Sequence, residues 1–271
     1  MALEIVRVDS VRAAATLLAA GDDAYFLAGG TILARVANTG GFPVGKMVLA
    51  DGLVLDTIVI TGDTAEVGAA VTMSRVAAEP KLAFLRPVAE SIGGPAVRNM
   101  ATVGGNLFAR YPYGDFAVAL LALDAEVAID DGTAERTLPL GDFLTAPARG
   151  TVVRSLRFAL PPEGAFRFTK VIRKHPHGAS VLAIAAVLPE SGGKLGSVRV
   201  AYGAMAAHAM RARAVEASLE GKALDEAAIA AAVAVATEGC APQTDPQATD
   251  WYRMTVLPVH LERLLSAKER S

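Results

Sequence analysis

The chain has 271 residues, a net charge of −2 and no basic stripe with interleaved aromatics, so it suits one large or two modest domains and nucleic acid is not the expected partner. Its single cysteine, Cys240, excludes an internal disulfide and a four-cysteine iron–sulfur cluster held by this chain alone. Hydrophobic residues make up 52% and mean hydropathy is +0.38, yet no charge-free run reaches membrane-spanning length, so the apolar surplus is expected to meet partner subunits.

Glu4, Arg7 and Asp9 interrupt the N-terminal apolar residues, which do not read as a signal peptide; cytoplasm is the expected compartment. Ser10 is a good N-cap for a helix over 11–20, and Gly21 stops it. A short strand over 25–28 feeds Leu27-Ala28-Gly29-Gly30-Thr31-Ile32-Leu33. A helix over 31–38 then points its N-terminus at this loop, where free N–H groups favour a phosphate. Strands are expected over 47–50, 57–60 and 66–70, and helices over 73–78 and 82–92, the second ended by Gly93-Gly94-Pro95.

The next stretch organises the chain: Arg98-Asn99-Met100-Ala101-Thr102-Val103-Gly104-Gly105-Asn106-Leu107. Two adjacent glycines remove two Cβ atoms and free φ, so the backbone can turn sharply and bring N–H groups to a bulky anion. The first loop has the same Gly-Gly core, the same apolar approach and a threonine beside it. Two such loops suggest two walls of one phosphate-bearing cofactor site, held by backbone N–H groups, the Thr31 and Thr102 hydroxyls and the Asn106 amide. A side chain at Gly104 or Gly105 is expected to expel that ligand and leave most of the fold. The chain contains neither G-x-G-x-x-G nor G-x-x-x-x-G-K-[ST], which argues against a Rossmann or P-loop site.

Asp115 reads as the cap of a helix over 116–123. Strands follow over 125–129, 137–140 and 152–160, and Pro161-Pro162 breaks the chain. The expected domains are 1–162 and 163–271. The second contains strands over 166–173, 181–188 and 195–202, with a hairpin at Ser191-Gly192-Gly193. Helices over 211–219, 226–238 and 250–268 complete an α+β layer, the last carrying Pro258. His175, His177, His208 and His260 lack ligand spacing, so no metal site is expected, and no nucleophile motif supports a hydrolase.

Ala28-Gly29-Gly30-Thr31, the 98–107 stretch, Asp115 and Leu120-Leu121-Ala122-Leu123-Asp124-Ala125 resemble the FAD-binding subunits of molybdenum hydroxylases, the xanthine dehydrogenase family that includes the medium chain of aerobic carbon monoxide dehydrogenase. Gly68-Ala69-Ala70-Val71-Thr72-Met73, Val198-Arg199-Val200-Ala201-Tyr202-Gly203-Ala204 and Asp250-Trp251-Tyr252-Arg253 extend the resemblance along the chain. It implies an α+β fold: a two-subdomain FAD-binding domain of the vanillyl-alcohol-oxidase-like kind, then a small C-terminal α+β domain with a three-stranded sheet. It implies FAD as cofactor, with Leu27, Ala28, Gly29, Gly30, Thr31, Ile32 and Leu33 on one side and Thr102, Val103, Gly104, Gly105 and Asn106 on the other. By the same resemblance Asp115 accepts hydrogen bonds from ribityl hydroxyls, Lys170 lies near the flavin, and Ile92 packs beside it. Tyr111 and Tyr113 either cover an isoalloxazine face or form a turn before Asp115.

The implied partners are a large molybdenum-cofactor subunit and a small [2Fe–2S] subunit, as a dimer of heterotrimers. Electrons would pass from the molybdenum centre through the clusters to FAD, then to NAD⁺, a quinone or O₂. The competing readings are a flavin-free scaffold subunit and a self-sufficient flavin oxidase. The substrate is chosen on another chain and stays open.

Overall fold

The structure is a computed structural model and describes residues 3–40, 43–49, 52–109, 114–146 and 150–266. The first layer is built from β1 (Glu4–Arg7), α1 (Val11–Ala20), β2 (Ala24–Leu27), α2 (Leu33–Thr39) and β3 (Lys46–Leu49). Both β1 and β2 run parallel to the central β3. Ser10 caps α1 as expected, its side chain accepting from Ala13 N, while Ala14, Ala15 and Leu18 bury the inner stripe. The next helix starts at Leu33, two residues later than the pattern suggests, and Gly40 ends it in the left-handed conformation.

The second unit runs β4 (Ile58–Thr61), β5 (Thr64–Gly68), α3 (Met73–Ala78), α4 (Arg86–Glu90), α5 (Pro95–Arg98), α6 (Val103–Leu107), α7 (Asp115–Ala122), β6 (Glu126–Asp130), β7 (Glu135–Pro139), α8 (Leu140–Thr145) and β8 (Val152–Ala159). Its strands form an antiparallel sheet in the order β4-β5-β8-β6-β7. The helix expected over 82–92 is broken into a 3₁₀ run, Pro80–Leu85, and α4. Leu82 leaves helical geometry, and Pro87 cannot donate across the join. All of α7 is buried, Asp115 included.

The third unit comprises β9 (Phe166–Ile172), β10 (Ser180–Val187), the small hairpin of β11 (Glu190–Ser191) and β12 (Lys194–Leu195), β13 (Arg199–Gly203), β14 (Met210–Arg211), α9 (Arg213–Leu219), α10 (Glu226–Ala234) and α11 (Asp250–Leu265). The three expected strands form the body of its sheet, and β14 adds a short fourth at the edge, giving β14-β13-β10-β9. One face of this sheet, with Ala183, Ala185, Val187 and Ala201, shares the core of α7. The other, with Leu182, Ile184, Ala186, Val200 and Tyr202, packs on α9 to α11. At Gly203 a Cβ would stand 2.7 Å from Val118, so the sheet lies close on α7 only because glycine is there. Pro258 stays within α11. Among the described residues no helix is long and apolar enough to cross a membrane.

Candidate functional site

The fold brings the two glycine segments into contact. A Cβ on Gly29 would stand 1.6 Å from the Met100 carbonyl oxygen, so the first loop rests directly on the residues leading into α6. Between them opens a groove of about 440 Å³, lined on one side by Leu27, Ala28 and Gly29 and on the other by Thr72, Asn99, Met100 and Thr102.

The loops differ in what their backbones offer. Leu27 ends β2, Gly30 takes a left-handed φ of 67°, and Thr31 and Ile32 form the turn before Leu33 opens α2. Among the described residues the N–H groups of Gly29 through Leu33 have no acceptor, and Ile32 supplies no side-chain cap. In the second segment the donors are taken. Val103 N donates to Val71 O at 2.9 Å, Gly104 N to Ala69 O at 2.8 Å, Gly105 N to Thr102 Oγ1 at 3.1 Å and Asn106 N to Thr102 O at 3.1 Å. Residues 103–107 are helical, so the freedom of φ expected for the second glycine pair is not used. Gly104 is buried against Ala69, where a Cβ would meet another at 2.8 Å; Gly105 is exposed, with only Thr102 Oγ1 near its missing Cβ.

Asn106 and Asp115 exchange the capping role. Asn106 Oδ1 accepts from Phe116 N at 3.0 Å and Ala117 N at 3.1 Å, which makes the asparagine side chain the cap of α7. Asp115 sits one residue too far along to reach those N–H groups and turns away. Its Oδ1 accepts from the Ser180 hydroxyl at 2.5 Å, and its Oδ2 pairs with Lys170 Nζ at 2.8 Å. The same ammonium donates to Ser91 O at 2.9 Å, next to the half-buried Ile92. Asp115, Lys170 and the turn carrying Ile92 are therefore gathered in one buried polar knot, linked to the glycine segments through Asn106.

An ionised carboxylate offers about four lone-pair positions, and two of those on Asp115 are engaged, which leaves acceptor capacity for hydroxyl donors. Free N–H donors on the first loop, a glycine face without a side chain at Gly105, and this carboxylate suit a ligand with both phosphates and a polyol. Among the described residues no group of His, Cys, Asp and Glu could hold a metal, and burial pushes the Cys240 thiol up to about 11. Tyr111 and Tyr113 lie outside the described residues.

Sequence patterns did not point to Thr72, Ser91 or Ser180. Thr72 had a legible signal. It repeats Thr102, each capping a short helix through its side chain, and the two face each other in an antiparallel bridge. Ser180 had none, because its orientation depends on a bulge in β10.

A sequence profile described as "FAD binding domain in molybdopterin dehydrogenase" matches residues 1–158, and one described as "CO dehydrogenase flavoprotein C-terminal domain" matches 166–267. The carbon monoxide dehydrogenase medium chain of Afipia carboxidovorans is 31% identical over 271 aligned residues, covering 96% of this chain and 94% of that one. The alpha subunit of the 6-hydroxypseudooxynicotine dehydrogenase complex of Paenarthrobacter nicotinovorans is 29% identical, covering 97% and 93%. Among solved structures, a chain of reconstituted CO dehydrogenase from Oligotropha carboxidovorans superimposes with a TM-score of 0.91 at 28% identity, covering 100% of this chain and 99% of that one.

Proposed function

This chain belongs to the FAD-binding subunits of the molybdenum hydroxylases, of the carbon monoxide dehydrogenase and xanthine dehydrogenase type, and from that premise we propose where it holds its cofactor. It is an oxidoreductase subunit that binds FAD and transfers electrons. The flavin, when bound, supplies the redox chemistry; the protein supplies binding, orientation and electrostatics.

In our reading the N–H groups of Gly29 to Leu33 hold the pyrophosphate, with Thr31 and Thr102 as hydroxyl donors. Leu27 and Ala28 form the apolar floor of that loop. Val103, Gly104 and Gly105 bring the second segment close, and Asn106 fixes its position against α7. Asp115 accepts from the ribityl hydroxyls, and Lys170 and Ile92 stand beside the ring system. What carries this reading is the asymmetry of the two loops: unpaired N–H donors on the first, satisfied ones on the second, with Asp115 beyond Asn106.

We place the division of the chain at 1–162 and 163–271. The proposed assembly is a heterotrimer with a molybdenum-cofactor subunit and a small iron–sulfur subunit, paired as a dimer of heterotrimers in the cytoplasm. The relatives' names and the exposed apolar side chains of Val97, Met100 and Phe108 beside the second segment support partners there.

The test is the flavin content of the purified full chain. One FAD per chain is expected for the native sequence, visible as the flavin absorption bands. Gly105→Val is expected to retain less than about a tenth of it while the apo form stays folded, because the new Cβ meets a single atom, Thr102 Oγ1 at 2.9 Å, and the rest of the side chain projects over the exposed face. Full FAD retention by that variant rejects the assignment of the second segment, and a colourless native protein that cannot be reconstituted supports a flavin-free scaffold instead.

A further inference from the structure

Strand β10 changes parity at its start. From Leu182 onward its even residues, Leu182, Ile184 and Ala186, face the helices α9 to α11, and its odd residues, Ala183, Ala185 and Val187, face α7. Regular alternation would put Ser180 with the even residues, away from Asp115. Yet its hydroxyl donates to Asp115 Oδ1. The register explains this. Ser180 pairs with Ile172 and Leu182 with Val171, so Val181 is an extra residue bulged between them. A bulge of one residue turns the preceding side chain to the opposite face.

The bulge is held from the far side of the sheet. Arg253 of α11 is fully buried, and its Nε donates to Val181 O at 2.7 Å. The rest of its guanidinium is fixed by Gln243 O at 2.6 Å, Ala248 O at 2.8 Å and Asp245 Oδ2 at 2.9 Å. A rigid planar fork with this many acceptors defines one position for the carbonyl it grips. From Arg253 the path runs through the Val181 bulge to Ser180 and then to Asp115, crossing from one hydrophobic core to the other.

We propose that Ser180 is a positioning residue for the cofactor-binding carboxylate, and that Arg253 sets it by pinning the Val181 bulge. This rests on the reading that Asp115 accepts from the ribityl chain. Ser180 on Oδ1 and Lys170 on Oδ2 fix the plane of the carboxylate, so the two remaining lone pairs have one direction. Without the serine the carboxylate can rotate about its Lys170 contact, and a bound polyol must reorder it. The C-terminal domain thereby completes a site whose ligand contacts lie mostly in the first domain.

The experiment titrates FAD into the apo form of the full chain at a temperature where every variant is folded, with apo melting followed in parallel. Ser180→Ala is expected to weaken FAD binding about tenfold, the loss of one hydrogen bond to a charged group. Arg253→Lys is expected to weaken it by a similar factor although it lies on the opposite side of the sheet. The double variant is expected to be no weaker than the more affected single one, since both act through one contact. Should Arg253→Lys fail to fold, Asp245→Asn, which removes a single partner of the guanidinium, replaces it in the cycle. Unchanged FAD affinity in Ser180→Ala overturns the proposal, as does a double variant whose factors multiply. A lowered apo melting point with unchanged affinity is the signature of a merely structural serine and also overturns it. Gly105→Val runs alongside: if it binds FAD normally the site reading itself fails, whereas its loss of FAD beside an unaffected Ser180→Ala sinks only the positioning role.

Discussion

Gly104 has no room for a side chain, and the reason is the protein rather than a ligand. Its missing Cβ faces the side chain and backbone of Ala69. Gly104→Val is therefore expected to destabilise the apo fold by about 1–3 kcal/mol through overpacking. That departs from the expectation that a side chain there would expel only the ligand. Thermal melting of the two apo variants separates them: a larger drop for Gly104→Val, which meets the Ala69 side chain and backbone, than for Gly105→Val, which meets only the Thr102 hydroxyl. Asp115 is a second residue whose role changes. Since Asn106 caps α7, Asp115→Asn removes the partner of a Lys170 that is itself only 10% exposed. Breaking a buried pair on one side costs about 3–5 kcal/mol, so the asparagine variant should unfold at lower urea than the native chain. An asparagine variant with the native urea midpoint would show that the pair contributes nothing.

At the scale of elements, α7 is the axis on which the second and third units meet. It has no polar stripe because β10 and β13 cover one side and the second unit's own helices the other. A helix buried all round must have its terminal N–H groups satisfied from within the protein. Asn106 does this from α6, which ties the second glycine segment to the start of α7. Asn106→Ala is expected to cost about 1–2 kcal/mol of stability. It should also raise amide exchange at Phe116 and Ala117 specifically. Equal exchange in both proteins would mean that another group caps the helix.

At the scale of the whole molecule, the grip of α11 on the Val181 bulge rests partly on an ion pair, Arg253 with Asp245, that acid can break. Burial raises the Asp245 carboxyl, but the N–H groups of Ala248 and Gln247 and the Arg253 guanidinium outweigh it and hold it below the usual range. A carboxyl depressed in the folded state stabilises fully above its unfolded value, about 3.9, and loses that contribution as pH falls through the folded value. The urea midpoints of the native chain and Asp245→Asn should differ by a constant amount above about pH 5 and converge below about pH 4. A gap that persists undiminished at pH 2 would show that the contribution of Asp245 does not depend on its charge. Asp131 and Asp250 are depressed as well, so the difference between the two proteins is the quantity to read.

Much of this was legible in the residues alone. Local chemistry determines α1 with its serine cap and most strands to within about two residues, though it leaves β1 and β14 unmarked and starts the last long strand four residues before Arg199, and it marks out the two glycine segments that the fold brings into contact. Caps, turns and alternation are short-range, so a reader of the sequence has all the atoms involved. The 3₁₀ break at Leu82 was half visible in Pro80 and Pro87. What the chain by itself could not disclose are the relations between residues far apart in it. Gly104 is a packing glycine because Ala69 lies behind it, and Asp115 is a charge partner because Lys170 and Ser180 reach it across many residues. The bulge at Val181 leaves no mark in an apolar run, since its cause is a buried arginine on another helix. Periodicity assigns each side chain to a face; only tertiary contact decides where one extra residue is inserted, and that single step aims Ser180 at the carboxylate.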